Sequence, residues 1–173
     1  KLSHGQMYQP VGNLHLVFPG HDRYTKYYRE LDIEKAVTRS TYEVDGVSYT
    51  RETFASFPDQ VIVMHITASK PGSISFTALM NKAIAGKELT IAGTTSDHEG
   101  VKGLVRYKGI VRIKTEGGRL SSDDSSLRVE HADAATLFIS IATNFNNYKD
   151  VSGDENKRAA GYMNTAFPKS FAA

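Results

Sequence analysis

Few side chains in this chain combine a type and a spacing that could do chemistry. His98-Glu99 sits in a polar stretch and has the composition of a general acid–base pair, although a solvated or packing loop is the simpler reading. Asp123-Asp124 places two carboxylates side by side, but neighbours at a strand end point apart, so this reads as a turn. Asp150, Ser152 and Asp154 have the spacing of half a calcium loop, yet the Gly expected at the sixth position and the Glu at the twelfth are missing. His65 falls within an apolar run, as a hydrogen-bonded core or second-layer histidine would. His4, His15, His21 and His131 show no ligand spacing, so no metal site and no cofactor are expected. Tyr24, Tyr27 and Tyr28 could form an aromatic platform for a sugar, or pack as edge-strand aromatics. There is no nucleophile elbow and no phosphate loop.

The elements that must position these residues are strands. Asp45-Gly46 lies between two alternating runs rich in Thr, Tyr and Val, and a two-residue loop of that kind is the strongest short-range hairpin signal. Closing it pairs Val44 with Val47, Tyr42 with Tyr49, Thr41 with Thr50 and Arg39 with Glu52. Each pair contributes roughly 0.2–1 kcal/mol, and a one-residue slip would lose them all. Gln60 to Ala68 (QVIVMHITA) then returns as a strand apolar on both faces, hence sheet interior.

Taken in order, Lys1 to Gly12 reads as an extended loop. Strands are expected over Asn13–Phe18, Tyr27–Ile33, Ser73–Leu79, Glu88–Ala92, Leu104–Thr115, Arg119–Leu120, Ser126–Val129 and Ala134–Ala142. Ser69-Lys70-Pro71-Gly72 is a turn, Met80–Lys87 a loop, and Gly93–Gly103 a long polar loop. The apolar phase of Leu104–Thr115 changes near Gly109, which suggests a bulge. Asp154 can cap a helix over Glu155 to about Ala166, with Pro168 ending it. Many strands at short spacing with one terminal helix argue an all-β protein, a large antiparallel β-sandwich followed by a C-terminal helix. No internal repeat suggests a propeller.

Composition excludes several classes. The chain has 173 residues, 21 basic and 19 acidic, well mixed, and no Cys. No Lys/Arg run exceeds two residues, so nothing points to nucleic acid or a membrane surface. No apolar run approaches the ~18 residues of a membrane span. The chain starts at Lys1 and stops at Ala173 inside an expected helix, which reads as a piece of a longer protein.

The order of its motifs resembles a family. Gly5 to Leu14 (GQMYQPVGNL), Phe18-Pro19-Gly20-His21, Tyr28 to Asp32 (YRELD), Val44 to Glu52 (VDGVSYTRE), Phe54 to Val63 (FASFPDQVIV), Asp97 to Val101 (DHEGV) and Ala142 to Asp154 (ATNFNNYKDVSGD) are similar to the amino-terminal β-domain of glycoside hydrolase family 95. That is the 1,2-α-L-fucosidase and α-L-galactosidase family. The resemblance implies an all-β, antiparallel β super-sandwich, incomplete over residues 1–153, and a C-terminal linker helix from 154 leading to an (α/α)6 catalytic barrel outside this chain. It implies an inverting hydrolase, whose two groups flank the sugar with room for a water. Those groups belong to the barrel, so no catalytic residue is assigned here. The expected function is that of an accessory domain supporting the barrel, in a protein acting on fucosylated glycans. Secretion, or a periplasmic or cell-surface place in a bacterium, is expected on the same ground. An autonomous carbohydrate-binding module is the alternative, and the lack of Trp argues against it. Amide and phenol groups of Gln6, Tyr8 and Gln9, with His98, are the side chains expected nearest a substrate at the barrel mouth, since loops on a rigid scaffold carry such contacts.

Overall fold

The computed structural model describes residues 8–80, 86 and 88–171. Eleven strands and one helix follow in order: β1 (Leu14–Val17), β2 (Thr25–Asp32), β3 (Val37–Val44), β4 (Val47–Ser56), β5 (Val61–Ala68), β6 (Ile74–Met80), β7 (Leu89–Thr94), β8 (Arg106–Glu116), β9 (Arg119–Ser122), β10 (Ser126–Ala132), β11 (Ala134–Thr143) and α1 (Glu155–Ala166). The expected antiparallel sandwich is present. A four-stranded sheet in the order β1-β6-β10-β9 packs on a seven-stranded sheet in the order β2-β3-β4-β5-β11-β8-β7. The Met80–Lys87 loop lies almost entirely outside the described residues.

The central hairpin forms in the register read from its turn, with Val44 opposite Val47, Tyr42 opposite Tyr49 and Arg39 opposite Glu52. Asp45 and Gly46 both take positive φ, 48° and 73°, as the tight loop demands. Tyr42 and Tyr49 stack with centroids 5.3 Å apart, and on the other face Arg39 Nη2 lies 2.8 Å from Glu52 Oε1.

Two cores flank the large sheet, which is why β5 and β11 are apolar on both faces. Between the sheets, Ile66, Leu137, Val111 and Ile113 meet Ile74, Phe76, Leu127 and Val129. On the opposite face, Val61, Val63, Ile110 and Phe138 are covered by Ala159, Met163 and Ala166 of α1. The helix starts where Asp154 accepts hydrogen bonds from the Asn156 and Lys157 amides at 3.0 and 2.9 Å. It ends one residue before Phe167-Pro168, and Lys169 Nζ then reaches Asp59 Oδ1 at 2.7 Å.

The bulge expected at Gly109 does not form. β8 pairs with β11 without interruption from Tyr107 to Glu116, and with β7 without interruption from Arg106 to Val111. The apolar phase changes because Ile110 faces the helix while Val111 and Ile113 face the other sheet. Gly109 is there for closeness, since a Cβ would sit 2.8 Å from Ile91 Cγ2. The register shifts fall instead in β2 before Tyr28 and in β10 between Val129 and Ala132.

Candidate functional site

Polar groups collect in two places. The first is the end of the sandwich where three loops meet. Tyr8 is almost wholly exposed (91%). Gln9 donates to the Pro10 carbonyl at 3.3 Å and accepts from Ser96 Oγ at 3.4 Å. Through Ser96, 87 residues later in the chain, the structure thus places Gln9 against the loop that carries His98. That loop is a small hairpin closed by two backbone hydrogen bonds of 2.9 Å between His98 and Val101. Asp97 Oδ1 accepts from the Gly103 amide at 3.0 Å, and a Cβ on Gly103 would lie 1.9 Å from the Thr95 carbonyl oxygen, so only glycine closes this turn. Gln6 lies outside the described residues. Gln9 and His98 therefore belong to one rim, with Tyr8 beside it.

The third loop of this end is held by Asn144. Its side chain, fully buried, donates to the carbonyls of Leu104 (3.1 Å) and Val151 (2.7 Å) and accepts from the Arg106 amide (2.8 Å). Arg106 also pairs with Glu155 at 3.1 Å, and that hydrogen bond holds the Glu155 carboxyl below its usual range. Arg158 donates to the carbonyls of Thr143 and Phe145 and to Asn146. Asp150 and Asp154, the half-loop weighed for calcium, direct their carboxylates at the backbone amides of Ser152 and of Asn156 and Lys157. Among the described residues no three His, Asp or Glu side chains gather to hold a metal.

The second collection lies on the inner face of β3 and β4. A cleft of about 470 Å³ opens between β1 and this face, lined by Val17, His21, Tyr24, Tyr27, Tyr42 and Arg51 among others. His21 Nδ1 and Tyr42 Oη are 2.9 Å apart, and Arg51 Nη2 donates to the same hydroxyl at 3.2 Å. The Arg51 guanidinium lies over the Phe18 ring, 4.3 Å from its centroid. Burial, then the charge of Arg51, push the His21 pKa down, so the imidazole is neutral near pH 7. Tyr24 and Tyr27 are tilted 57° to each other with centroids 5.7 Å apart. Tyr28 registers opposite Thr41 on the other face and donates to Glu30 at 3.3 Å. The three tyrosines thus do not make one flat platform. Sequence pattern placed neither Arg51 nor His21 in this network, because facing periodicity tells which side a residue points to and not what lies across from it, whereas Asn144 and Asn146, just before the helix, suit the loop that anchors it, and they do so.

His65 is the packed histidine that its apolar run suggests. Nδ1 is 2.8 Å from Thr136 Oγ1, and the ring stacks on Phe171 at 4.3 Å. Asp123 makes a turn as expected, accepting from the Ser125 and Ser126 amides and both hydroxyls, which lowers its pKa to about 2.

Residues 1–148 match the family described as "Glycosyl hydrolase family 65, N-terminal domain". The chain belongs to that family. The number differs from the 95 that the motif resemblance implies, but the fucosidase part of that resemblance agrees with the relatives of this family 65 N-terminal domain. It is 37% identical over 169 residues to "Alpha-L-fucosidase 2" of Arabidopsis thaliana, covering 80% of this chain and 20% of that protein. It is 22% identical over 158 residues to "Probable alpha-fucosidase A" of Aspergillus oryzae, covering 86% of this chain and 22% of that one. In fold it matches "Putative kojibiose phosphorylase from human microbiome" with a TM-score of 0.60 at 9% identity, over 94% of this domain and 26% of that chain. The domain spans about a fifth of the length of the curated relatives it matches.

Proposed function

We propose that this chain is the accessory N-terminal β-domain of an α-L-fucosidase-like inverting glycoside hydrolase, and that it supports a catalytic barrel in the same polypeptide. The observation that carries this reading is the 37% identity to a plant α-L-fucosidase, which covers 80% of this chain and only a fifth of that enzyme. The chemistry of the domain agrees. Asp123 is occupied in a turn, Asp154 in a helix cap, and Glu155 and Asp59 in ion pairs. The rim of Gln9 and His98 is the part suited to touch a substrate, through amide and imidazole hydrogen bonds to sugar hydroxyls. The tilted Tyr24–Tyr27 pair and the turned-away Tyr28 speak against an autonomous carbohydrate-binding module.

The test compares the 173-residue chain with the longer polypeptide that contains it. Hydrolysis of a fucosyl-α-1,2-galactoside is followed by NMR at the anomeric proton, with L-fucose binding to the chain measured by calorimetry. The longer polypeptide is expected to release fucose with inversion, and the chain alone to neither bind nor cleave. A longer polypeptide inert on α-L-fucosides overturns the reading; tight L-fucose binding by the chain alone replaces it with the binding-module reading.

A further inference from the structure

The two sheets do not match in width. β1 ends the four-stranded sheet, paired to β6 alone, while the facing sheet continues through β5, β4, β3 and β2. What this leaves open is a strip of inner-face residues. Near β1 it contains Arg29, Ser40 and Arg51, which lie side by side in register across β2, β3 and β4. Further along, it becomes apolar: Ala55, Ile62, Ile139 and Ile141 line a second cleft of about 310 Å³, with Ile62 39% and Ile141 41% exposed. These are core-type side chains on the core side of a sandwich, with nothing described above them.

Arg51 states what is missing. Its Nε–H is shielded from solvent and has no hydrogen-bond partner, and among the described residues no carboxylate lies within ion-pair distance of Arg51 or Arg29. His21 is neutral or cationic, so it supplies no counter-charge in either protonation state. Covering such a guanidinium with protein is strongly unfavourable unless a carboxylate comes with the cover. A free strand edge, an apolar strip and an unpaired cation on one face ask for an extended segment that hydrogen-bonds β1 and presents alternate side chains inward.

We propose that an acidic β-strand from the same polypeptide, outside residues 1–173, adds to the free edge of β1 and closes the sandwich, with its carboxylate on Arg51 and apolar side chains on Ile62, Ile139 and Ile141. Arg51 and Ala55 share a face of β4 and are ~13 Å apart at the usual strand rise, a span that one ordinary strand covers. A second copy of this chain fits poorly, because β1 against β1 would bring two cations together and supply no carboxylate. The inference rests on the reading that the chain is one domain of a longer protein, as its coverage of a fifth of its relatives suggests.

Hydrogen–deuterium exchange of the β1 peptide tests it, in the 173-residue chain and in the longer polypeptide. The β1 amides that point away from β6 should exchange within seconds in the first and at least 100-fold more slowly in the second. In the longer polypeptide, Arg51→Gln should return most of that protection and lower the Tm more than it does in the short chain. Fast exchange in both proteins overturns the proposal. So does protection in the short chain that grows with protein concentration, which would mean a second copy, or that appears on adding L-fucose, which would mean a sugar. Unchanged protection in the Arg51→Gln long polypeptide overturns the carboxylate. Slow β1 exchange in a long polypeptide without fucosidase activity keeps this inference while sinking the functional one.

Discussion

Asn144 is the residue whose removal should say most about how the loop end is held. Its amide is fully buried and closes three hydrogen bonds to main-chain groups of two different segments, Leu104–Arg106 and Val151. A net ~1 kcal/mol for each bond gives about 3 kcal/mol for Asn144→Ala. The flanking backbone at Leu104 is near solvent, so water recovers part of what is lost there, while the small cavity adds to the cost. Against a total stability of roughly 5–15 kcal/mol, that is a large fraction. Urea unfolding followed by far-UV circular dichroism is the assay; the midpoint should fall with the slope unchanged. Asn144→Asp keeps the acceptor for the Arg106 amide but sets an oxygen against the Leu104 and Val151 carbonyls, so it should cost at least as much. A loss below about 1 kcal/mol for both variants would refute the argument that this amide pins the loops.

Other expectations are more local. Met163→Ala removes a fully buried thioether between α1 and the large sheet and should cost about 2–5 kcal/mol in urea unfolding. Asp154→Ala deletes the acceptor for two helix-start amides, with an expected cost of about 1 kcal/mol and faster hydrogen exchange over the first turn. Burial lowers the pKa of His65 from 6.5. The unfolded chain therefore takes up a proton first as pH falls through 6.5, and stability declines from there towards the folded pKa. His65→Gln should flatten the urea midpoint against pH over that window, with the residual slope attributable to His21, whose pKa is lowered too. In the longer polypeptide, Gln9→Ala or Tyr8→Phe should lower kcat/KM on a fucoside; no change in either would remove the rim from the substrate.

The parts of the fold that could be read from sequence are those written by neighbours in the chain. Asp45-Gly46 dictates both a turn type and a register, and Asp154 followed by small and apolar residues at helical spacing dictates a start and a buried face. Gly109 shows where such reading breaks down. The apolar phase shift beside it is real, but it reflects two covering layers, a helix on one side of β8 and a sheet on the other, and a local pattern cannot separate that from a bulge. The site suffers from the same limit. His98 and Gln9 each stand out as polar residues in loops, whereas their meeting through Ser96 depends on how β7 and β8 carry that loop back to the sandwich end. Arg51 looks like one member of an alternating strand until Phe18 and Tyr42 are seen to enclose it.

The place of β11 has a consequence for how the domain comes into being. It lies between β5 and β8, and its partner β5 is remote, Thr136 being 71 positions from His65. Until it emerges from the ribosome, the large sheet exists as two separate ribbons, β2 to β5 and β7 with β8, each with a bare inner edge. At roughly 5–20 residues per second of synthesis, those edges stay open for seconds. Pairings of this reach also fold slowly, on the millisecond-to-second scale. Insertion of the eleventh strand is thus the committing event, and only afterwards does α1 have a surface to seal. Chaperone dependence of the nascent chain should be greatest just before that strand is released.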